Sequence, residues 1–483
     1  MSDSPRTSIV WFRRDLRAAD NHALHAAVTA GERILPLYIL SDDDEQPWAI
    51  GAAQRWWVHH SLIALRSALA DARLTLVVRK GGYASTIADI ARACNADVVR
   101  FNRRFEPHAV RSDGKVIAAL KKKGLDVRIH EGSLLHDPDE FETKSGGPYR
   151  VFTPFWKHLQ RDLKVPRPLP APGKAVAAAF DAAVGDIDDL ELLPTINWTE
   201  GIAKTWTPGE KGAAESLAAF ADSRVMQYGD RRDLPGEVTT SRMSPYLANG
   251  ELSPRQIWHR IAGGATLSDA PKGVEPYLRQ LAWREFSYHI LHHNPNTPSE
   301  PLYEKFEAFP WKRSRSLLEK WQKGQTGYPI VDAGMRELWE TGWMHNRVRM
   351  VVASFLTKHL LINWRHGAAW FWDTLVDADL ANNTMGWQWS AGCGADAQPY
   401  FRIFNPILQG RKFDKDGTYV RRWVPELASL PNARLDAPWD AADEELADAG
   451  VTLGDDYPTP VVEHSEARDR ALDAYEKVKA AAD

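Results

Sequence analysis

Asp377-Ala378-Asp379-Leu380-Ala381-Asn382-Asn383-Thr384-Met385-Gly386-Trp387-Gln388-Trp389 is the stretch on which the reading of this chain turns. It carries two carboxylates two residues apart, two adjacent amides and two tryptophans two apart. Polar groups in such number need partners once buried, and each one left without costs about 1–3 kcal/mol. A solvated loop, in turn, has no use for the tryptophans. The mixture suits a pocket for a large, flat ring system with polar edges. A Trp-rich helical corner is the plainer alternative.

Outward from this stretch, the chain from about residue 201 onward is a series of long helical patterns broken by Gly and Pro. Leu278 to His292 and Val348 to Leu361 are the clearest helices. The second is apolar nearly all round, through Val351-Val352-Ala353-Ser354-Phe355-Leu356, and is expected to be buried. Residues 131–200 are rich in Pro, Gly, Asp and Ala, densest at Val165 to Gly173, and read as an extended connector. Residues 1–130 alternate short β-branched and aromatic runs with helical stretches. Strands are expected at Ser8–Phe12, Ile34–Leu40, Leu74–Val78, Val98–Asn102 and Val127–His130. Helices are expected from an Asp20 cap to Gly31, near Ala52–Ala72 and over Pro107–Lys123. This alternation predicts a doubly wound parallel α/β domain, followed after the connector by an all-helical domain over 201–483. No Gly-x-Gly-x-x-Gly follows any strand, so a nicotinamide dinucleotide is not indicated.

At 483 residues the chain exceeds one ordinary core. Its two cysteines, Cys94 and Cys393, are too few for a disulfide framework, a Cys-rich zinc site or a four-Cys cluster, and fit a reducing, cytoplasmic setting. No apolar run is long enough to span a bilayer, and Met1 to Pro5 opens no signal peptide. The net charge of −4 conceals an asymmetry. From residue 423 on there are 5 Lys+Arg against 15 Asp+Glu, which leaves 55 against 49 in the rest of the chain. A mildly basic body is compatible with an anionic partner. Trp, at 20 residues, is the commonest aromatic, against 16 Phe and 13 Tyr.

Three further segments of the helical half mix polar and aromatic groups. Thr240-Ser241-Arg242-Met243-Ser244 offers hydroxyls and a guanidinium of the kind a pyrophosphate needs, although such a run also caps helices. Gln280 lies one turn from Trp283 and Arg284 on one helix face. Trp343-Met344-His345-Asn346-Arg347-Val348-Arg349-Met350 puts Asn346, Arg349 and Met350 on neighbouring turns.

Taken with Trp-Phe-Arg-Arg-Asp-Leu-Arg at 11–17 and Thr-Gly-Tyr-Pro-Ile-Val-Asp-Ala-Gly-Met-Arg at 326–336, these segments resemble the photolyase/cryptochrome family, in family order and over nearly the whole chain. The resemblance implies an N-terminal antenna domain and a helical domain holding FAD. The flavin site it implies is Tyr228, Thr240, Ser241, Arg242, Met243, Ser244, Arg284, Asn346, Arg349, Asp377, Asp379 and Asn383, with Asn383 facing flavin N5. The lesion site it implies is Gln280, Trp283, Asn346, Arg347, Met350 and Trp389, and the electron-hopping chain is Trp387, Trp364 and Trp311. The activity implied is light-driven splitting of a flipped pyrimidine dimer in UV-damaged DNA by a monomeric, non-membrane lyase. The antenna chromophore implied is methenyltetrahydrofolate, yet the Glu that contacts folate in some members falls on Ala109. Most cyclobutane-dimer enzymes have Glu where this chain has Gln280, which leaves a (6-4) photolyase open. A cryptochrome-type photoreceptor is the other alternative.

Overall fold

The computed structural model describes residues 5–397 and 401–480. Strands β1 (Thr7–Phe12), β2 (Arg33–Leu40), β3 (Val77–Lys80), β4 (Val98–Asn102) and β5 (Asp126–His130) form an all-parallel sheet in the order β3-β2-β1-β4-β5. Helices α1 (His22–Thr29), α2 (Ala52–Asp71), α3 (Tyr83–Ala93) and α4 (Pro107–Lys122) connect them. Period-two alternation decides which face each side chain covers. Val10 and Phe12 pack with α1 and α2, whereas Ile9 and Trp11 pack with α3 and α4. The sheet is therefore doubly wound, as expected.

Several boundaries differ from expectation. Asn21, not Asp20, caps α1, its side chain accepting from the Leu24 amide. Asp20 sits at φ 55° and instead bonds Ser253 and Arg255 of the helical half, so a long-range ion pair overrides its capping propensity. The third strand starts at Val77, since Leu74 and Leu76 are buried before the chain joins β2. Helix α3 was missed, although Tyr83, Ile87 and Ile90 mark its buried face.

The segment 131–200 is not extended throughout. It contains α5 (Phe152–Asp162), whose Phe152, Phe155 and Trp156 are buried in the helical core, and a short β6 (Val176–Ala177) paired to β2. The high Pro and Gly content on either side hid a strongly amphipathic helix. Beyond it the described residues contain no further strand, only two isolated bridges. The Glu275–His293 helix matches expectation. The helix expected over Val348–Leu361 begins at Asn346 and passes at Phe355–His359 into a π-helical turn. No described helix is long and apolar enough to cross a membrane.

The Trp-Phe-Arg-Arg-Asp-Leu-Arg run is a docking device. Arg13 bonds Asp113 at 2.5 Å and the Asn102 carbonyl at 2.6 Å, closing the crevice between β1 and β4. Arg17 donates to Gly250 O, and Arg14 to Ala378 O, both in the helical half. Glu251 is 1% exposed at the same junction. It accepts from Trp57 Nε1, from the Ser61 hydroxyl and from the Gly209 amide.

Burial pushes the Glu251 carboxyl up to about 8. The folded chain thus holds this proton more tightly than the unfolded one. The stabilisation is complete below the unfolded value of about 4.3 and is lost as pH rises through about 8. Thermal unfolding of wild type should lose on the order of 2–5 kcal/mol more between pH 5 and 9 than that of Glu251→Gln. Parallel pH slopes for the two proteins would refute the assignment.

Candidate functional site

The Asp377–Trp389 stretch lines a cavity of ≈ 490 Å³, within the span of about 300–1,000 Å³ usual for cofactor and ligand sites. Leu380–Ala391 is a helix, and Asp379 is its N-cap. Asp379 Oδ1 accepts from the backbone and side-chain amides of Asn382 at 2.9 and 2.7 Å. Its Oδ2 accepts the Tyr288 hydroxyl at 2.5 Å. Little acceptor capacity is left on Asp379 for a ligand, less than its residue type suggests. Asp377 pairs with Arg349 at 2.8 Å through Oδ2, while its buried Oδ1 has no partner among the described residues. Between them, Ala378 O accepts from Gln54 of α2 at 2.6 Å and from Arg14 at 3.1 Å. The α/β domain thus fixes the cavity wall directly.

Asn383 lines the cavity and donates to Ala368 O at 3.0 Å, which leaves its carbonyl oxygen and its second N–H unengaged. Trp387 is 2% exposed, with an unpartnered indole N–H, and packs edge-on to Phe371 at 5.0 Å. A Cβ at Gly367 would lie 2.0 Å from the Trp387 ring, so only glycine admits it there. Trp364 is buried in the same core, and Trp311 is half-buried beside Phe309 at 4.3 Å. A bridge between Lys312 and Ile362 lays the Trp311 segment alongside that of Trp364. Exposure thus rises from Trp387 and Trp364 to Trp311.

The Glu275–His293 and Asn346–Ser354 helices complete the lining, through Gln280, Trp283, Asn346, Arg349 and Met350. Gln280 donates to Pro276 O, keeping its own oxygen available to a ligand. Trp283 lies flat on Phe152 of α5, with centroids 3.6 Å apart and planes 7° apart. His345 Nδ1 accepts from the Arg347 amide, and burial lowers this histidine to about 4, so it is a neutral structural cap. Trp389 closes the rim under the Arg402 guanidinium, 5.1 Å from the ring. Arg402, Arg232, Asn382 and Asp396 also line the cavity and were not singled out from sequence. Only Asn382 lay inside a segment already singled out.

Other expected site residues lie off the cavity wall. Arg284 bonds Glu285 and Ser133 O and covers Tyr288 at the domain junction. The buried carboxylate of Glu285 draws it away from the cavity. Arg347 is held by Asp233 at 2.8 Å and lies over Phe413. Ser241 accepts from the Met243 amide, Met243 is buried, and Ser244 accepts from Trp343 Nε1. Arg242, at φ 54°, stands 4.9 Å from the Trp343 ring, and Arg349 stands 5.8 Å from the same ring. Thr240 adjoins this group, and Tyr228 packs against Tyr277 at 5.2 Å.

The chemistry in and beside the cavity fits a large flavin cofactor. Arg242, outside the wall, forms no ion pair among the described residues and feels the Glu337 carboxylate only at a distance, which suits it to an anion. The orphaned Asp377 oxygen and Asn383 carbonyl await donors. Ala109 is 1% exposed within α4, and Arg13 bonds Asp113 of the same helix and the Asn102 carbonyl.

Residues 277–477 match the model for the FAD binding domain of DNA photolyase, and residues 8–173 match that for DNA photolyase. The chain is 47% identical to a deoxyribodipyrimidine photo-lyase of Agrobacterium fabrum, covering 98% of both chains. It is 36% identical to cryptochrome-1 of Arabidopsis thaliana over 97% of its own length and 70% of that protein's. A bacterial class III photolyase structure from Agrobacterium tumefaciens superposes with a TM-score of 0.94 at 47% identity, covering 99% of each chain. With cavity, orphaned polar groups and these likenesses in agreement, the chain belongs to the photolyase/cryptochrome family.

Proposed function

We propose that this chain is a light-dependent DNA-repair lyase that splits cyclobutane pyrimidine dimers. The observation that carries this reading is one cavity lined by two chemically distinct sets of groups. Asp377, Asn383 and Arg349, with the cap Asp379, make up a polar wall suited to FAD, while Trp283 and Trp389, with Gln280 and Met350, make up a largely aromatic wall suited to an extruded lesion. Bound FAD, reduced and excited by light, supplies the electron that opens the dimer and receives it back.

The chain's own residues bind and orient. The Asp377–Arg349 pair gives the polar wall a fixed donor and acceptor. Asn383, a neutral amide, presents an oxygen without adding negative charge beside the flavin. Trp283, immobilised on Phe152, and Trp389 serve as flat walls for the pyrimidine rings. The free oxygen of Gln280 accepts an imide N–H, and Asn346 faces both walls. The extrusion cost, a few kcal/mol, is lowest where damage has already weakened stacking. Arg232 and Arg402 at the rim suit backbone phosphates, so binding should weaken with salt. Trp387, Trp364 and Trp311 would pass an electron inward to return oxidised flavin to the reduced form.

The chain works as a monomer in the cytoplasm, where its buried free thiols Cys94 and Cys393 stay reduced. Methenyltetrahydrofolate is kept as the antenna on the family resemblance, with no seat assigned to it.

The test is illumination of the reduced protein with dimer-bearing oligothymidine under blue light. The ultraviolet absorbance of intact thymine should return. No recovery, with the chain flavin-loaded, would favour the photoreceptor, and recovery on (6-4) lesions alone would favour the other lyase. Trp387→Phe should slow photoreduction of oxidised flavin at least tenfold, yet leave repair by chemically pre-reduced protein within about twofold of wild type. Equal loss of both would make Trp387 structural.

A further inference from the structure

Lys358 is 1% exposed and has no carboxylate in ion-pair reach among the described residues. Burial pushes its amine well below the range of a free lysine. A buried, unpaired amine is costly, so its contacts call for a physical account. It sits on the π-helical turn Phe355–His359, directly after the helix that carries Asn346, Arg349 and Met350 to the cavity. Such turns re-aim a side chain relative to a regular helix. The Lys358 Nζ donates to Ala391 O at 2.6 Å, which is the last residue of the helix bearing Asp379, Asn383, Trp387 and Trp389.

The same nitrogen stands 3.2 Å from the centroid of the Phe401 ring. Phe401 in turn stacks on Tyr475 of the His464–Ala480 helix at 4.3 Å, with planes 1° apart. Nitrogen and tyrosine cannot share one face, so Phe401 is held between them. A Cβ at Gly392, φ 91°, would come within 3.1 Å of Phe401 and 3.3 Å of Lys358 Nζ, which explains a glycine there. Phe401 adjoins Arg402, whose guanidinium covers Trp389 at the rim.

We propose that Lys358 is a positioning residue for substrate. By tying the end of the Leu380–Ala391 helix to the Phe401 ring, it holds Trp389 and Arg402 face to face over the cavity mouth, where one grips an extruded base and the other its phosphate. Lys358 itself touches neither. Lys358→Met would fill the space but leave the Ala391 carbonyl and the Phe401 ring unconnected. This rests on the repair reading above and adds to it a residue far from the chemistry that sets grip on the lesion.

The experiment compares wild type, Lys358→Met and Tyr475→Leu, all flavin-loaded and in the dark. Affinity is measured for a duplex with one thymine dimer and for the same duplex undamaged. Flavin content and melting temperature are measured alongside. Both variants should bind the dimer duplex on the order of tenfold more weakly, with flavin content and affinity for undamaged duplex within about twofold of wild type. The inference falls if both variants keep wild-type preference for the dimer. It also falls if flavin content and both affinities drop together, since the lysine would then only hold the fold. A wild-type protein with no preference for the dimer would overturn the repair reading, and this inference with it.

Discussion

The carbonyl oxygen of Ala378 is the point on which the two halves of the molecule meet. Gln54 and Arg14, more than 300 residues earlier in the chain, both donate to it. Its neighbours are Asp377, held by Arg349, and Asp379, held by Tyr288 and Asn382. Three consecutive residues are thereby fixed from three directions. A cavity that must orient a ring system to a fraction of an ångström needs walls whose own rotamers are locked. The α/β domain supplies part of that lock through Gln54 and Arg14.

Hydrogen-bond supply explains which polar groups remain for a ligand. Asn383 and Gln280 each give one amide N–H to a backbone carbonyl and keep the oxygen and a second N–H for a ligand. Asp379 uses nearly all its capacity on the helix it caps and on Tyr288 of the Glu275–His293 helix. Asp377 keeps one oxygen in reserve, and Arg242 feels the Glu337 carboxylate only at a distance. Groups that look equivalent as letters therefore separate into structural and receptive ones only when the fold is known.

Much of the architecture was legible from residue periodicity. The parallel sheet follows from β-branched runs alternating with helices, and the helical half from long periodic segments. What was not legible has physical causes. Helix α5 lay among prolines and glycines and carries Pro154 in its own first turn, where a proline is tolerated. Asp20 carries a cap propensity that Arg255 overrides from 235 residues away. In the site, the clustered motif at 377–389 could be read because its polar groups and tryptophans are neighbours in sequence. Arg232 and Arg402 could not, since a surface arginine and a rim arginine look alike until the cavity is known. Arg284 and Arg347 also sit in motifs, and ion pairs with Glu285 and Asp233 hold them off the cavity lining, which no reading of the letters foresees.

The central claim is that this cavity is built around a flavin. The most direct measurement is the absorption spectrum of the purified chain, followed by denaturation and quantitation of what is released. The account predicts a yellow or blue protein that yields one FAD per chain. A colourless chain that gives up no flavin, and takes up none when FAD is supplied during refolding, would contradict it.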